Sequence, residues 1–297
     1  MNLDMFGSAP VAEIAPVLAT MIECPPPGIY YDIPAHAYHS WAAISSTLLK
    51  GYAENPCTAR IPYEAKDDAN VGSGIHAYSL QGQKGLDEEC HFGPKFGKAA
   101  ADVIARLELQ ALHPQKVILP AYYGSPAPGE KIMDVLQGVD ESMHAHLKIG
   151  PVLRNSQKEV SLVWIDEDSG CLCKARLDIW DGSIIWDLKK CRSISGFQRQ
   201  LKDLHYDIQD GHYFNGAIAC GLPAVAFGFI PCEAFPPYQV ACGYRDPEKL
   251  EYDRVNARRI IGLVKQSQLT GRWLNGAIPD HIFDLDDITP DDLVNVY

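Results

Sequence analysis

Asp178, Asp187 and Lys189 are the residues whose types and spacing best suit chemistry. They lie between Cys171 and Arg192, a stretch that reads as two strands joined at Asp181-Gly182, a dipeptide suited to a two-residue hairpin turn. Alternation puts Cys171, Cys173, Ala175, Leu177 and Ile179 on one face of the first strand, and Lys174, Arg176 and Asp178 on the other. In the second strand Ile184, Trp186 and Leu188 point one way, and Ile185, Asp187 and Lys189 the other. Pairing Trp180 with Ser183 sets Asp178 opposite Ile185 and makes Asp187 its diagonal neighbour, with backbones roughly 7–8 Å apart. Two carboxylates at that separation can lean onto one cation between them, with Lys189 on the same side.

Such a set suits metal-assisted cleavage of a phosphodiester. Mg²⁺ usually takes one or two carboxylates and keeps water or phosphate in its other positions. The ion activates water and neutralises charge on the attacked phosphate, and a neighbouring ammonium can orient either one. The same residue types also suit a surface hairpin whose Asp and Lys side chains are merely solvated.

The rest of the chain bounds these readings. Its 297 residues allow one large domain or two small ones, with ample material for a core. The apolar share of 46% and charged share of 22% are ordinary for a soluble protein. No apolar run is long enough to span a membrane. Met1 to Glu23 carries Asp4 and Glu13 and no basic start, unlike a signal peptide. The nine cysteines are odd in number and scattered, which suits free thiols in a reducing cytoplasm, the host's if the chain is phage-encoded. A net charge of −12 argues against a general nucleic-acid coat but not against a local basic site. From Lys174 to Lys202, seven basic residues (Lys174, Arg176, Lys189, Lys190, Arg192, Arg199 and Lys202) face three acids (Asp178, Asp181 and Asp187), about +4 in all. Phosphate contacts would concentrate there, although an exposed face of mixed charge would read the same way.

Along the chain, residues 1–24 form an N-terminal arm that Pro25-Pro26-Pro27-Gly28 ends. Ser45 or Ser46 caps a helix start, a place that could also hold a phosphate. Gly72 to Leu80 reads as a loop feeding a helix, with His76 in the first turn as a structural histidine or a metal ligand. Helices are predicted over 97–112 and 130–148, and a strand from Lys158 to Ile165. Glu159, at the start of that strand, could contact the same metal or its water, or be a plain strand-end acid. Ser193 to Leu204 and Leu204 to Ala217 read as helices, and Gln209 and Tyr213 share a face of the second. Strands from Ala224 to Ile230 and Tyr238 to Gly243 precede a helix from Pro247 to Leu269. A single domain over 25–275 is followed by an acidic tail over 276–297.

From Gly28 to Trp273 these pieces resemble phage-type exonuclease VIII, the RecE-like branch of the PD-(D/E)XK nucleases, related to the lambda exonuclease and RecB nuclease domains. The motifs are, in order, Gly28-Ile29-Tyr30, Ile44-Ser45-x-x-x-Leu49, Gly72-x-x-x-His76, Cys171-x-Cys173-x-Ala175-Arg176-x-Asp178, Asp187-Leu188-Lys189 and Tyr206-Asp207-x-Gln209-Asp210-x-x-Tyr213. Each alone is weak; the ordered set is specific. The resemblance implies an α/β, restriction-endonuclease-like core with a central mixed sheet flanked by helices. It implies Mg²⁺-dependent degradation of linear duplex DNA from its ends, with Mn²⁺ as substitute. His76, Asp178, Asp187 and the Leu188 carbonyl match metal ligands, Lys189 the catalytic lysine, and Gln209 and Tyr213 the helix behind the site. DNA contacts are expected from Ser45, Ser46, Arg176, Lys190, Arg192, Arg199 and Lys202. The family degrades the 5′-ended strand as a ring, here a trimer or tetramer, and leaves a 3′ strand for a single-strand annealing protein. One feature departs from the family's pattern, and a second position differs from many members of the wider superfamily. Lys190-Cys191 stands where small hydroxyl residues usually follow the lysine, and the third acidic position is Asp187 where many relatives have Glu.

Three other readings compete. An iron–sulfur nuclease of the AddB type or of its CRISPR-associated relatives needs a split group of four cysteines, and Cys220, Cys232 and Cys242 are too widely spaced; no iron–sulfur cluster is expected. A restriction-type endonuclease would cut closed circles. A catalytically silent DNA-binding assembly protein would not need Asp178, Asp187 and Lys189 together.

Overall fold

A computed structural model describes residues 23–61, 67–94, 99–124 and 129–273. The N-terminal arm, apart from its last two residues, and the acidic tail lie outside the described residues. In chain order the elements are β1 (Gly28–Tyr30), α1 (Ala35–Ser40), α2 (Ser46–Glu54), α3 (Asp67–Glu89), β2 (Cys90–Gly93), α4 (Ala100–Leu112), β3 (Val117–Pro120), β4 (Tyr122–Tyr123), β5 (Glu130–Lys131), α5 (Ile132–Ala145), α6 (Ile149–Asn155), β6 (Gln157–Ile165), β7 (Leu172–Trp180), β8 (Ile184–Cys191), α7 (Phe197–Asp203), α8 (Tyr206–Ala219), β9 (Ala226–Glu233), β10 (Gly243–Tyr244) and α9 (Pro247–Thr270).

Six strands form the central sheet in the order β1-β6-β7-β8-β9-β10. Only β8 and β9 run parallel; the other neighbours are antiparallel. A parallel pair needs a long crossover, and α7 and α8 supply it. Two buried clusters flank the sheet. One gathers Leu49, Leu201, Phe214 and Ile261 from α2, α7, α8 and α9. The other gathers Ile75, Leu136 and Leu153 from α3, α5 and α6. The chain is thus a mixed α/β protein with a central mixed sheet between helices, as predicted. The best-marked helix is α9, which Asp246 caps through the Glu248 and Lys249 amides; Pro247 opens it and Gly271 ends it in the left-handed region at φ 68°. Among the described residues no helix is long and apolar enough to cross a membrane.

The sheet corrects the hairpin. Trp180 pairs with Ile185, not Ser183, and Ile179 pairs with Trp186. The turn centres on Gly182-Ser183, with Gly182 at φ 99°. Asp181 flanks it, accepting from the Ser183 and Ile184 amides and from the Trp186 indole. The two-residue slip keeps the facing of β8, and the register, if it continued, would put Asp178 across from Asp187 and not from Ile185. Alternation along β7 also breaks. Leu177 and Trp180 lie in one core cluster and Ile179 in the other. The break falls where Glu159 of β6, at φ 55°, separates the pairs Val160–Leu177 and Lys158–Ile179.

A second correction concerns Gly72 to Gly74. This is not a loop; it lies inside α3, whose kink is at Gly82, φ 68°. Glycine here serves close packing: a Cβ on Gly74 would stand 2.9 Å from a Leu119 methyl. His76 is therefore held on a helix that leans against β8.

Candidate active site

The site forms where β7 and β8 part. Beyond Ile179–Trp186 the strands no longer pair. Instead the Leu188 amide donates to Asp178 Oδ2 at 2.8 Å, so a side chain stands in for the missing backbone acceptor. The Leu188 carbonyl is turned to His76, whose Nε2 lies 2.6 Å away. The other ring nitrogen of His76, Nδ1, is 3.5 Å from Asp178 Oδ2. One helix and two strands thus bring His76, Asp178 and the Leu188 carbonyl to one point.

Asp187 sits beside that point and is fully buried. Its Oδ1 accepts from Gln209 Nε2 at 2.7 Å, and its Oδ2 lies 2.6 Å from Lys189 Nζ. Burial pushes the Asp187 carboxyl up to about 6, against the pull of Lys189. Burial by itself would lower Lys189, but Asp187 and Asp178 outweigh it and hold the ammonium above its ordinary value.

Among the described residues, His76, Glu159 and Asp178 form a group whose ligand atoms all lie within 4.8 Å of one another. Asp187 is outside that group, its oxygens being taken by Gln209 and Lys189. Glu159 belongs to the site more closely than a strand-end acid would. Burial pushes it up to about 7, although Arg176 pairs with it. Arg176 also lies 3.7 Å from Glu89 and donates to the Ile33 carbonyl. It is only 8% exposed, so it neutralises the acids of the site from within and is not an outer phosphate contact. Lys174 is buried too, its ammonium on the carbonyls of Tyr38, His39 and Trp41. The basic window is therefore no continuous patch. Its first two members are internal, while Arg192, Arg199 and Lys202 are exposed.

From the opposite wall, α2 contributes its first turns. Ser45 is the cap, accepting from the Leu48 amide, and Ser46 is the partner of the buried Tyr213 hydroxyl. Gln209 and Tyr213 do share the inward face of α8. Sequence spacing did not single out Lys50. Its ammonium donates to Gln209 Oε1 at 3.1 Å, which turns the Gln209 amide so that its nitrogen faces Asp187. Burial and the charge of Lys189 draw Lys50 down to about 8. Ser46 and Lys50 are four apart on a helix, the same spacing that marked Gln209 and Tyr213, and that signal could have found it. Ser46, Lys50, His76, Asp178, Lys189 and Gln209 line a cleft of about 620 Å³, with the buried Asp187 held by its neighbours Lys189 and Gln209.

The fold has a solved counterpart. The chain shares its fold with a candidate exonuclease from Eubacterium rectale. The two are 16% identical over 76% of this chain and 82% of that one, with a TM-score of 0.50. A phage-related exonuclease from Haemophilus somnus 129PT matches at 14% identity over 66% of this chain and 94% of that one; its TM-score of 0.26 is too low to bear on the fold. No family model and no curated protein matches the sequence.

Proposed function

We propose that the chain is a metal-dependent nuclease that hydrolyses linear duplex DNA from its ends. The observation that carries this reading is the convergence of His76, Asp178, Asp187, Lys189 and Gln209, from three separate parts of the sequence, where two strands of an exonuclease-type sheet separate.

The donor set fits a hard divalent ion: carboxylates, one carbonyl and one imidazole. His76, Asp178, the Leu188 carbonyl and Glu159 converge and would hold it, and Asp187 would join them only through the lone pairs that Gln209 and Lys189 leave open. When bound, Mg²⁺ or Mn²⁺ supplies positive charge that neutralises the attacked phosphate and favours deprotonation of the attacking water. Lys189 contributes a fixed ammonium that binds the phosphate or orients that water. Gln209 holds Asp187 in place, Lys50 holds Gln209, and Arg176 offsets the repulsion among the buried acids. Lys190 on the cleft wall and Arg192, Arg199 and Lys202 outside it contact the DNA backbone, while Ser46 lines the cleft and Ser45 caps the helix that carries it.

The finer reading draws on the ordered motifs. The 5′-ended strand is digested and a 3′ single strand is left for an annealing protein, in the cytoplasm. A chain of net charge −12 is repelled by bulk DNA, so a closed trimer or tetramer threaded by the duplex is the means of staying on it. The test is digestion of linear and covalently closed duplex, with Mg²⁺ and with chelator. The reading requires loss of the linear form alone, and only with metal. Cleavage of closed circles, or undiminished digestion in chelator, would overturn it.

A further inference from the structure

Beside the cleft lies a larger groove of about 1220 Å³, and the two share Lys190, Gln200 and Leu204 as a common wall. Gln200 donates to the Lys190 carbonyl at 2.9 Å, which makes that wall one unit. The groove is apolar inside and basic at its edge. Phe235 is 38% exposed and Leu204 48% exposed. Arg192 and Arg199 are exposed at the rim. The acids lining it are engaged: Asp203 lies 3.4 Å from Arg199, and Glu130 accepts from the Tyr238 hydroxyl.

We infer that this groove binds a single-stranded stretch of DNA next to the cleft, its bases on Phe235 and Leu204 and its phosphates on Arg192 and Arg199. The inference rests on the nuclease reading above for its choice of polymer. The choice of single over double strand rests on the lining. A duplex presents phosphates and sugars outward and hides the faces of its bases, so it gains little from an exposed phenyl ring. An unpaired strand exposes base faces, and an aromatic side chain offers each a new surface to stack on. The shared wall makes the two cavities neighbours along one path, so a strand lying in the groove passes the carboxylates at its end.

The test is binding of a short fluorescein-labelled oligothymidylate and of a blunt hairpin duplex to the full-length protein in chelator, by anisotropy. Phe235→Ala should weaken the oligothymidylate about fivefold or more, and the blunt duplex by less. Arg192→Ala, a surface change that leaves the core alone, should reduce the salt slope of oligothymidylate binding by about 0.7. Unchanged oligothymidylate binding in both variants would overturn the proposal. So would a change in sedimentation with binding intact, which would make the groove a contact between copies of the chain. The two readings fail separately. Binding as expected, without Mg²⁺-dependent digestion, keeps the groove and removes the nuclease. Digestion by both variants with oligothymidylate binding like the parent's does the reverse.

Discussion

Gln209 and Asp210 are adjacent on α8, yet each belongs to a different buried charge cluster. Gln209 faces Asp187, Lys189 and Lys50. Asp210 faces Arg245 at 3.2 Å, and Arg245 in turn lies 2.6 Å from Asp253 of α9. The acids are equally hidden: the Asp187 side chain is 1% exposed, those of Asp210 and Asp253 0% and 3%. Burial and ion pairing therefore do not separate the clusters. Access does. The first borders a cleft of about 620 Å³. The second borders no such cleft among the described residues: α8 and α9 meet at Gly211, where a Cβ would stand 2.3 Å from the Asp253 carbonyl oxygen, and only the Arg245 side chain, 15% exposed, reaches the surface. One cluster opens on a cleft, and the other joins two helices.

That contrast can be broken most sharply at Asp187. Asp187→Asn should lower DNA cleavage by at least about a hundredfold, the scale of losing one charge-stabilising group in a reaction centre. Its melting temperature should fall as well, because Lys189 loses its nearest counter-ion and keeps only Asp178, so cleavage is compared per folded molecule. A variant that cuts normally, or that fails to fold, would place Asp187 in the same class as Asp210.

The second cluster should answer the opposite way. Arg245→Met leaves two buried acids without their cation and should cost about 3 kcal/mol in a denaturant titration. Cleavage per folded molecule should be kept. Burial pushes Asp210 up to about 9, with Asp253 adding to the rise, so at neutral pH one acid holds a proton and the loss stays at the low end for a broken buried pair. A large fall in turnover with stability intact would join the two clusters into one functional unit.

A smaller effect comes from His212, two residues further along α8. It is fully buried, its Nε2 lies 3.0 Å from the Lys174 carbonyl oxygen, and burial lowers it to about 4. The folded state thus refuses a proton that the unfolded chain binds below about 6.5. The contribution of His212 to stability should be constant above that pH and fall as pH drops towards 4, by on the order of 3 kcal/mol. His212→Asn should flatten this acid arm of the curve. An unchanged slope would assign the acid sensitivity to other groups.

Much of the site was legible because its chemistry lies in types and spacings. Asp178, Asp187, Lys189 and the Gln209–Tyr213 face needed only periods of two and four. What escaped has physical causes. Asp181 looks like a turn residue but flanks the turn, because its carboxylate is occupied by the Ser183 and Ile184 amides. The change of facing at Asp178 depends on a left-handed Glu159 in the neighbouring strand, which no local pattern in β7 encodes. Gly72 and Gly74 read as loop because glycine usually does, but at Gly74 the missing Cβ makes room for Leu119. Arg176 and Lys174 read as surface charges, since only the fold brings Glu159, Glu89 and three carbonyls to meet them.

Lys189 tests the central claim most directly, because it adds positive charge at Asp187 without being a candidate ligand. The measurement is Mn²⁺ binding and linear-duplex digestion, made side by side on Lys189→Ala and Lys190→Ala. The account predicts that Lys189→Ala still binds Mn²⁺ but loses most of its turnover, since the ammonium acts on phosphate or water in the transition state. Lys190→Ala should cut, with weaker and less salt-dependent DNA binding. Full activity in Lys189→Ala, or an essential role for Lys190 in its place, would contradict the assignment of this cleft as the reaction centre.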